Sequence, residues 1–530
     1  MVSKLIDFAI ALSTAVVVLL ALTACTEQVD EYPVIHANGE ELHGSWADSS
    51  VLIAVFKGVP FAEPPIADMR WRAPAPNRPR SGPQNAREFA MACMQTPIMT
   101  AWYADVAKAF GAGPEVAANP HGVNEDCLYL NLWSPRLDSA ARLPVLVWVH
   151  GGSNKGGWSY EPNYLGAKLA EKGVIVVTIA YRLGAFGFFS HPALDNDGSQ
   201  PVANFGLLDI EHAIRWVRDN VDSFGGDPSN ITLIGESAGA GNISDLLMSR
   251  MGEEPLYHRA ILQSSASGLR SRRTLEEEQL LGGHLAESIG LEGTVTASHL
   301  RGVSAESLLT KSMTALPGHY FDAVIDHRTM QRSPLDTLRH AKSTKMEVLI
   351  GTNADEWLMY IDEKASLVDL EKIIAQNAAE QASSLASEVG QEADVRRAID
   401  RVETAVNILC PSRYLAARIT ELGGRGWVYY FSRQRPGPGG GKLGAYHGTE
   451  IPYVFDTHDD WLPVDDTDRR LTEAVMDYWV QFARSGDPNS TKLPEWPVYS
   501  GQSPVVMELG DRIGVRKPND ARLCELLGPK

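Results

Sequence analysis

The sequence predicts an α/β protein: one mostly parallel central sheet with helices on both faces and helical insertions over the edge that carries the chemistry. Three observations predict it. Apolar runs rich in Val and Ile recur without polar alternation: "LPVLVWVHGG" (143–152), "GVIVVTIAYR" (173–182), "ITLIGES" (231–237), "KMEVLIGTN" (345–353) and "GWVYYFSR" (426–433). Strands covered on both faces read this way. Between them lie helical patterns such as "LLDIEHAIRWVRDNV" (207–221), apolar at helical spacing with charges on the opposite face. The two kinds of segment alternate, which is the order of a parallel sheet with crossover helices. The Ala-, Glu- and Leu-rich stretches 272–342 and 363–409 interrupt that order and read as the helical insertions.

The chain has 530 residues, 44% of them hydrophobic, enough for one large domain with a sizeable core. Its formal charge is −18, without a long basic run, which argues against nucleic acid as a partner. No Pro- or Ser-rich linker divides it after the N-terminus. There, residues 1–24 hold one Lys and then an apolar run from Phe8 to Ala24, followed by Cys25. The run is too short and one-sided for a membrane span and reads as an export signal. "LTAC" (22–25) resembles a bacterial lipoprotein signal, in which Cys25 becomes the lipidated first residue. An uncleaved anchor or a plain secretory signal is the alternative. The expected organisation is therefore a signal over 1–24, a tether over 25–34 and one domain over 35–530. Thr26 after the cysteine favours the outer membrane, so a cell-envelope lipoprotein is expected, or a secreted protein if Cys25 is not lipidated; a lipid would hold the chain on the membrane surface without spanning it.

Export leaves four cysteines free to pair, with three possible connectivities. Cys93 and Cys127 are near in sequence and bracket one loop, leaving Cys410 and Cys524 for each other; buried free thiols are the alternative.

The segment Gly235-Glu236-Ser237-Ala238-Gly239 fits G-x-S-x-G, with an apolar strand before it and the helix-compatible "AGNISDLLMSR" after it. A strand turning straight into a helix leaves no room for side chains two before and two after the serine, and it strains the serine's backbone. Such a serine is a poor nucleophile without a base, and the base needs an acid. His447, in "GAYHGTEIPYVF", and Glu356, in "LIGTNADEWLMY", follow in the chain order of this hydrolase class, with Asp355 competing for the acid role. Most of the 14 histidines must be bystanders, and His447 taken alone would be read as structural. "RPGPGGGKLGAYHG" (435–448) lacks the residues of a phosphate loop.

The residues then resemble one family along nearly the whole mature chain. "FKGVPFAEPP" with "MRWRAPAP" (56–76), "EDCLYLNLWSP" (125–135), "YRLGAFGFF", "NFGLLDIEHAIRWVRDNVDSFGGDPSNITLIGESAGA", "YWVQFARSGDPN" and "WPVY" are similar, in order, to the type-B carboxylesterase/lipase family, which includes the cholinesterases. The resemblance implies the α/β-hydrolase fold and a triad of Ser237, His447 and Glu356, with Asp355 only the acid's neighbour. It also implies the pairs Cys93–Cys127 and Cys410–Cys524, and a supporting role for Ser264 beside the acid; Glu236, preceding the nucleophile, is a further supporting residue.

Ester attack creates an oxyanion that needs waiting N–H donors. The residue after the nucleophile, Ala238, supplies one. "HGGSNKGG" (150–157) supplies Gly152 and Ser153, where the family pattern H-G-G-G has a third glycine. Asn154, where the family has an aromatic residue, and Lys155 are candidates to line part of the pocket and favour polar or anionic esters; a solvated Lys155 on the rim is the alternative. Ala117 stands roughly where the cholinesterases carry a cation-binding Trp, and Trp102 lies elsewhere in that loop, so choline esters are not expected. The expected activity is hydrolysis of a small-molecule carboxylic ester through an acyl-enzyme, with no metal or organic cofactor. A lipase, lactonase, or carbamate or amide hydrolase on the same triad is the alternative, or a silent binding or adhesion relative.

Overall fold

The computed structural model describes residues 31–48, 51–195, 201–249, 251, 256–265, 269, 271–518 and 520–528. The expected signal and Cys25 lie outside the described residues. Residues 25–30 of the expected tether lie outside the described residues too, and its last residue, Val34, belongs to a strand, Val34–Ala37, that pairs with Glu40–His43.

Among the described residues eleven strands form the central sheet. Numbered in chain order they are β1 (Ser45–Trp46), β2 (Ala54–Pro60), β3 (Tyr129–Ser134), β4 (Leu143–Val149), β5 (Ile175–Ile179), β6 (Gly226–Glu236), β7 (Arg259–Gln263), β8 (Glu347–Asn353), β9 (Arg425–Phe431), β10 (Val506–Leu509) and β11 (Ile513–Arg516). Their spatial order is 1-2-3-5-4-6-7-8-9-10-11. Strands β4 to β10 run parallel, and the antiparallel strands lie at the two ends. All five apolar runs read from the sequence are strands of the parallel part.

Alternate residues of these strands feed two cores, as the period of two requires. Val145, Val147, Val149, Leu233 and Leu262 pack on one side, with the helices α1 (Phe205–Asn220) and α2 (Ala238–Ser249). Leu146, Trp148, Ile234, Leu349 and Trp427 pack on the other, with α3 (Asp466–Ser485). Burial on both faces is why the strands lack polar alternation.

The stretch 272–342 is helical over Leu275–Ser288, Ala297–Arg301, Ala305–Ala315 and Pro334–His340. The stretch 363–409 is helical over Leu367–Ala378, Ala382–Val389 and Val395–Thr404, then passes through a π-helical turn, Ala405–Leu409. Disulfides join Cys93 to Cys127 and Cys410 to Cys524.

Strand order positions the site. β4 and β6 are neighbours in register, with Val149 opposite Gly235, so the chain leaves both strands at the same sheet edge. The loop after β4 is the His-Gly-Gly segment, and the turn after β6 is the serine. β8 ends at Asn353, three residues before Glu356. The carboxyl edge of a parallel sheet is where the chain crossovers leave a crevice.

Candidate active site

Ser237 has φ 53°, the left-handed region, between a strand and a helix. The flanking glycines permit that turn. A Cβ at Gly239 would sit 2.0 Å from the Val149 carbonyl oxygen, and one at Gly235 2.8 Å from the same atom. The turn is held by the Ser237 N–H, which donates to the Gln263 carbonyl at 3.0 Å.

His447 Nε2 lies 2.8 Å from Ser237 Oγ, and His447 Nδ1 lies 2.7 Å from Glu356 Oε2. Glu356 is fully buried. Its other oxygen accepts from the Asn353 N–H (2.7 Å) and the Thr352 hydroxyl (3.0 Å). Asp355 faces elsewhere: it accepts from the Ala445 N–H at 2.8 Å and pairs with Arg397 at 2.8 Å. It thereby fastens the loop that delivers His447, while Glu356 alone of the two meets the imidazole. The glycine-rich stretch before His447, read as a loop, forms a short helix, Pro438–Leu443.

Gly152, Ser153 and Ala238 line the same cavity as Ser237. Ser153, where the family pattern has a third glycine, adopts a glycine-like left-handed conformation (φ 58°). Asn residues tolerate this region better than most, and Asn154 shares it (φ 54°).

Three expectations are corrected. Asn154 does not line the cavity: it is buried, and its amide is spent on Phe321, Asn242 and Tyr181. Lys155 does not line it either. Ser264 lines the cavity but its hydroxyl donates to Glu450, at 3.3 Å, and not to Glu356. Trp102 is carried to the cavity wall by a helix (Ile98–Ala109) within the Cys93–Cys127 loop. There its Nε1 donates to the Tyr360 hydroxyl at 3.1 Å. Ala117 packs in a separate apolar cluster with Tyr103 and Trp158.

The cavity, about 270 Å³, is walled by aromatic side chains, Trp102, Tyr103, Trp148, Tyr320, Trp357 and Tyr360 among them. Its carboxyls are Glu161 and Glu236; among the described residues no Lys or Arg lines it. Burial pushes Glu161 up to about 7 although Tyr103 and the Trp158 N–H donate to it. Burial likewise pushes Glu236 up to about 8, partly offset by the neighbouring imidazole. Glu236 Oε1 is 3.2 Å from His447 Nε2. Burial pulls His447 down, but the Glu236 charge, the Glu356 hydrogen bond and the Glu356 and Glu450 charges outweigh it, so the imidazole holds its proton more tightly than usual. Glu236 and His447 therefore titrate as a pair. Among the described residues no group of three His, Cys, Asp or Glu is arranged to hold a metal.

That pairing sets a pH expectation. The base must be unprotonated to accept the serine proton, so kcat/KM rises as His447 deprotonates. Glu236→Gln removes the charge that raises the imidazole. The acid limb of kcat/KM should then move to lower pH and sharpen to a single step; an unmoved midpoint would show that Glu236 is electrostatically silent there.

Sequence reasoning missed Glu161, Glu450, Asn242, Tyr320 and Tyr360. Only Glu450 left a trace, three residues after His447 at the entry to the helix Ile451–Phe455.

The comparisons with known proteins agree with this geometry. The model of the carboxylesterase family matches residues 32–526. The fumonisin B1 esterase of Sphingopyxis macrogoltabida is 31% identical over 508 residues, covering 93% of this chain and 89% of that protein. The phenmedipham hydrolase of Pseudarthrobacter oxydans is 33% identical over 509 residues, covering 90% and 95%. Among solved structures, a PNB esterase superposes with a TM-score of 0.80 at 26% identity over 94% of this chain and 100% of that one. Carboxylesterase EST55 of Geobacillus stearothermophilus gives 0.78 at 27% identity, over 93% and 99%. With the α/β-hydrolase sheet and a serine, histidine and glutamate meeting at its carboxyl edge, the chain belongs to the carboxylesterase family and is a carboxylic ester hydrolase.

Proposed function

We propose that Ser237 attacks the ester carbonyl while His447 takes its proton through Nε2, Glu356 holding the imidazole by Nδ1. The observation that carries this is the continuous hydrogen-bonded line, 2.8 Å and then 2.7 Å, across the three side chains. The N–H groups of Gly152, Ser153 and Ala238 receive the oxyanion. His447 then protonates the leaving alcohol, and a water molecule repeats the sequence on the acyl-enzyme.

The preferred substrate is an uncharged ester carrying an aromatic or bulky apolar group. Aromatic walls favour such a group. Among the described residues the cavity offers carboxyls and no Lys or Arg, so a carboxylated acyl or alcohol moiety would be desolvated without a lysine or arginine partner. This reverses the preference inferred from Lys155. In a matched series, a neutral aryl ester should exceed its carboxylated analogue in kcat/KM by about tenfold or more, an energy of about 1.4 kcal/mol. Lys155→Ala should leave that ratio unchanged. A carboxylated ester turned over as well as the neutral one would refute the assignment.

We also propose export by residues 1–24 and lipidation at Cys25, supported by the apolar run ending in "LTAC". Cells fed a labelled fatty acid should incorporate it into the wild-type protein and not into Cys25→Ala; equal labelling of both would refute it.

A further inference from the structure

We propose that Asn154 is a positioning residue that fixes the two halves of the oxyanion site relative to each other. One half, Gly152 and Ser153, lies on the loop after β4; the other, the Ala238 N–H, is the first residue of α2. They belong to different elements, so something must set the gap between them. Asn154 follows Ser153 directly. Its Oδ1 accepts a hydrogen bond from Asn242 Nδ2 at 2.9 Å, and Asn242 lies on α2, one turn beyond Ala238. Both residues are 98% or more buried.

The rest of the Asn154 side chain is equally committed. Its Nδ2 donates to the Phe321 carbonyl at 2.9 Å, and Oδ1 also accepts from the Tyr181 hydroxyl at 3.3 Å. Phe321 follows Tyr320, a wall of the substrate cavity. One amide thus ties the loop, the nucleophile's helix and the cavity wall. The backbone of Asn154 is held too, its carbonyl accepting from the Gly184 N–H at 2.6 Å. Two consecutive non-glycine residues, Ser153 and Asn154, sit in the left-handed region. That conformation is unfavourable, for Ser153 more than for Asn154, and it persists where the surroundings enforce it. The buried amide does so, and an aromatic side chain at this position could not make the same bonds.

An oxyanion donor works only if it points at the oxygen of the tetrahedral state, not at the ground-state carbonyl. Loosening the tether should therefore weaken transition-state binding and leave substrate binding nearly intact. A misplacement on the order of 1 Å is worth about 100-fold.

The test uses Asn154→Leu, Asn242→Leu and the double variant in the full-length protein. Each single variant should lower kcat about 10- to 100-fold with KM changed less than about threefold. Affinity for a trifluoromethyl ketone, which mimics the tetrahedral state, should fall by the same factor as kcat/KM, while a non-hydrolysable amide analogue binds as before. Because the two side chains form one bond, the double variant should be no worse than the poorer single. Where Asn154→Leu does not fold, Asn242→Ala cuts the same bond from the helix side and carries the test. Folded variants with wild-type kcat and only a lowered Tm would overturn the proposal, as would losses that multiply in the double variant. The proposal rests on Gly152, Ser153 and Ala238 being the oxyanion donors. A wild-type enzyme that binds the ketone no better than the amide removes that reading, whereas normal ketone binding in both wild type and variants removes the tether alone.

Discussion

Ser237→Ala should lower kcat on an activated aryl ester by about 10⁵- to 10⁶-fold with KM little changed. The hydroxyl lies 2.8 Å from His447 Nε2, in the cavity that Gly152, Ser153 and Ala238 also line. Substrate contacts with the aromatic walls survive the substitution, so binding persists while the covalent route is lost. The residual rate would come from binding and the oxyanion donors alone, which still exceed the rate in water. The fold should hold, because the turn depends on the Ser237 N–H and on the two glycines rather than on the hydroxyl. Steady-state kinetics on extensively purified variant checks this; retention of more than a hundredth of wild-type kcat would mean that another nucleophile operates.

Glu356→Gln should cost about 10³- to 10⁴-fold in kcat, and the reason is orientation as much as charge. One carboxylate oxygen already accepts from the Asn353 N–H and the Thr352 hydroxyl. A glutamine must place its carbonyl oxygen there, since its NH₂ would oppose two donors. The NH₂ then faces His447 Nδ1 and forces that nitrogen to be the acceptor. The proton moves to Nε2, and the imidazole can no longer take one from Ser237. The lost carboxylate charge also removes stabilisation of the imidazolium formed in the transition state. Rates measured from pH 6 to 9 decide the point: the deficit should persist across the range, and a variant that matches or exceeds wild-type kcat at the acid end would show that only the imidazole's pKa had been lowered.

The sheet was legible because burial on both faces leaves a signal in every strand. The strands ending at Val149, Ile179, Glu236, Asn353 and Phe431 each hold an apolar run without polar alternation, and all five are parallel strands. The triad was legible because each member follows a recognisable strand or turn, although Asp355 and Glu356 could be separated only by resemblance until the structure showed which one faces the imidazole. Residues whose role depends on the partner across space were not legible. Asn154 occupies a position that the loop alone would aim at substrate, yet Asn242 and Phe321, remote in sequence, draw its amide away. Ser264 was misassigned for the same reason: Glu450 lies closer to it than the acid it was expected to support. The wall residues Tyr320, Trp357 and Tyr360 come from insertions or loops whose local composition resembles that of any packed helix.

The account's central claim is that residue 237 forms the covalent intermediate. Treating the full-length enzyme with a fluorophosphonate and mapping the adduct by peptide mass spectrometry tests it directly. The account predicts one adduct per chain, on the Ser237 hydroxyl, with labelling slowed by Glu356→Gln and abolished by His447→Ala. An adduct on any other residue, or an active esterase that acquires none, would contradict it.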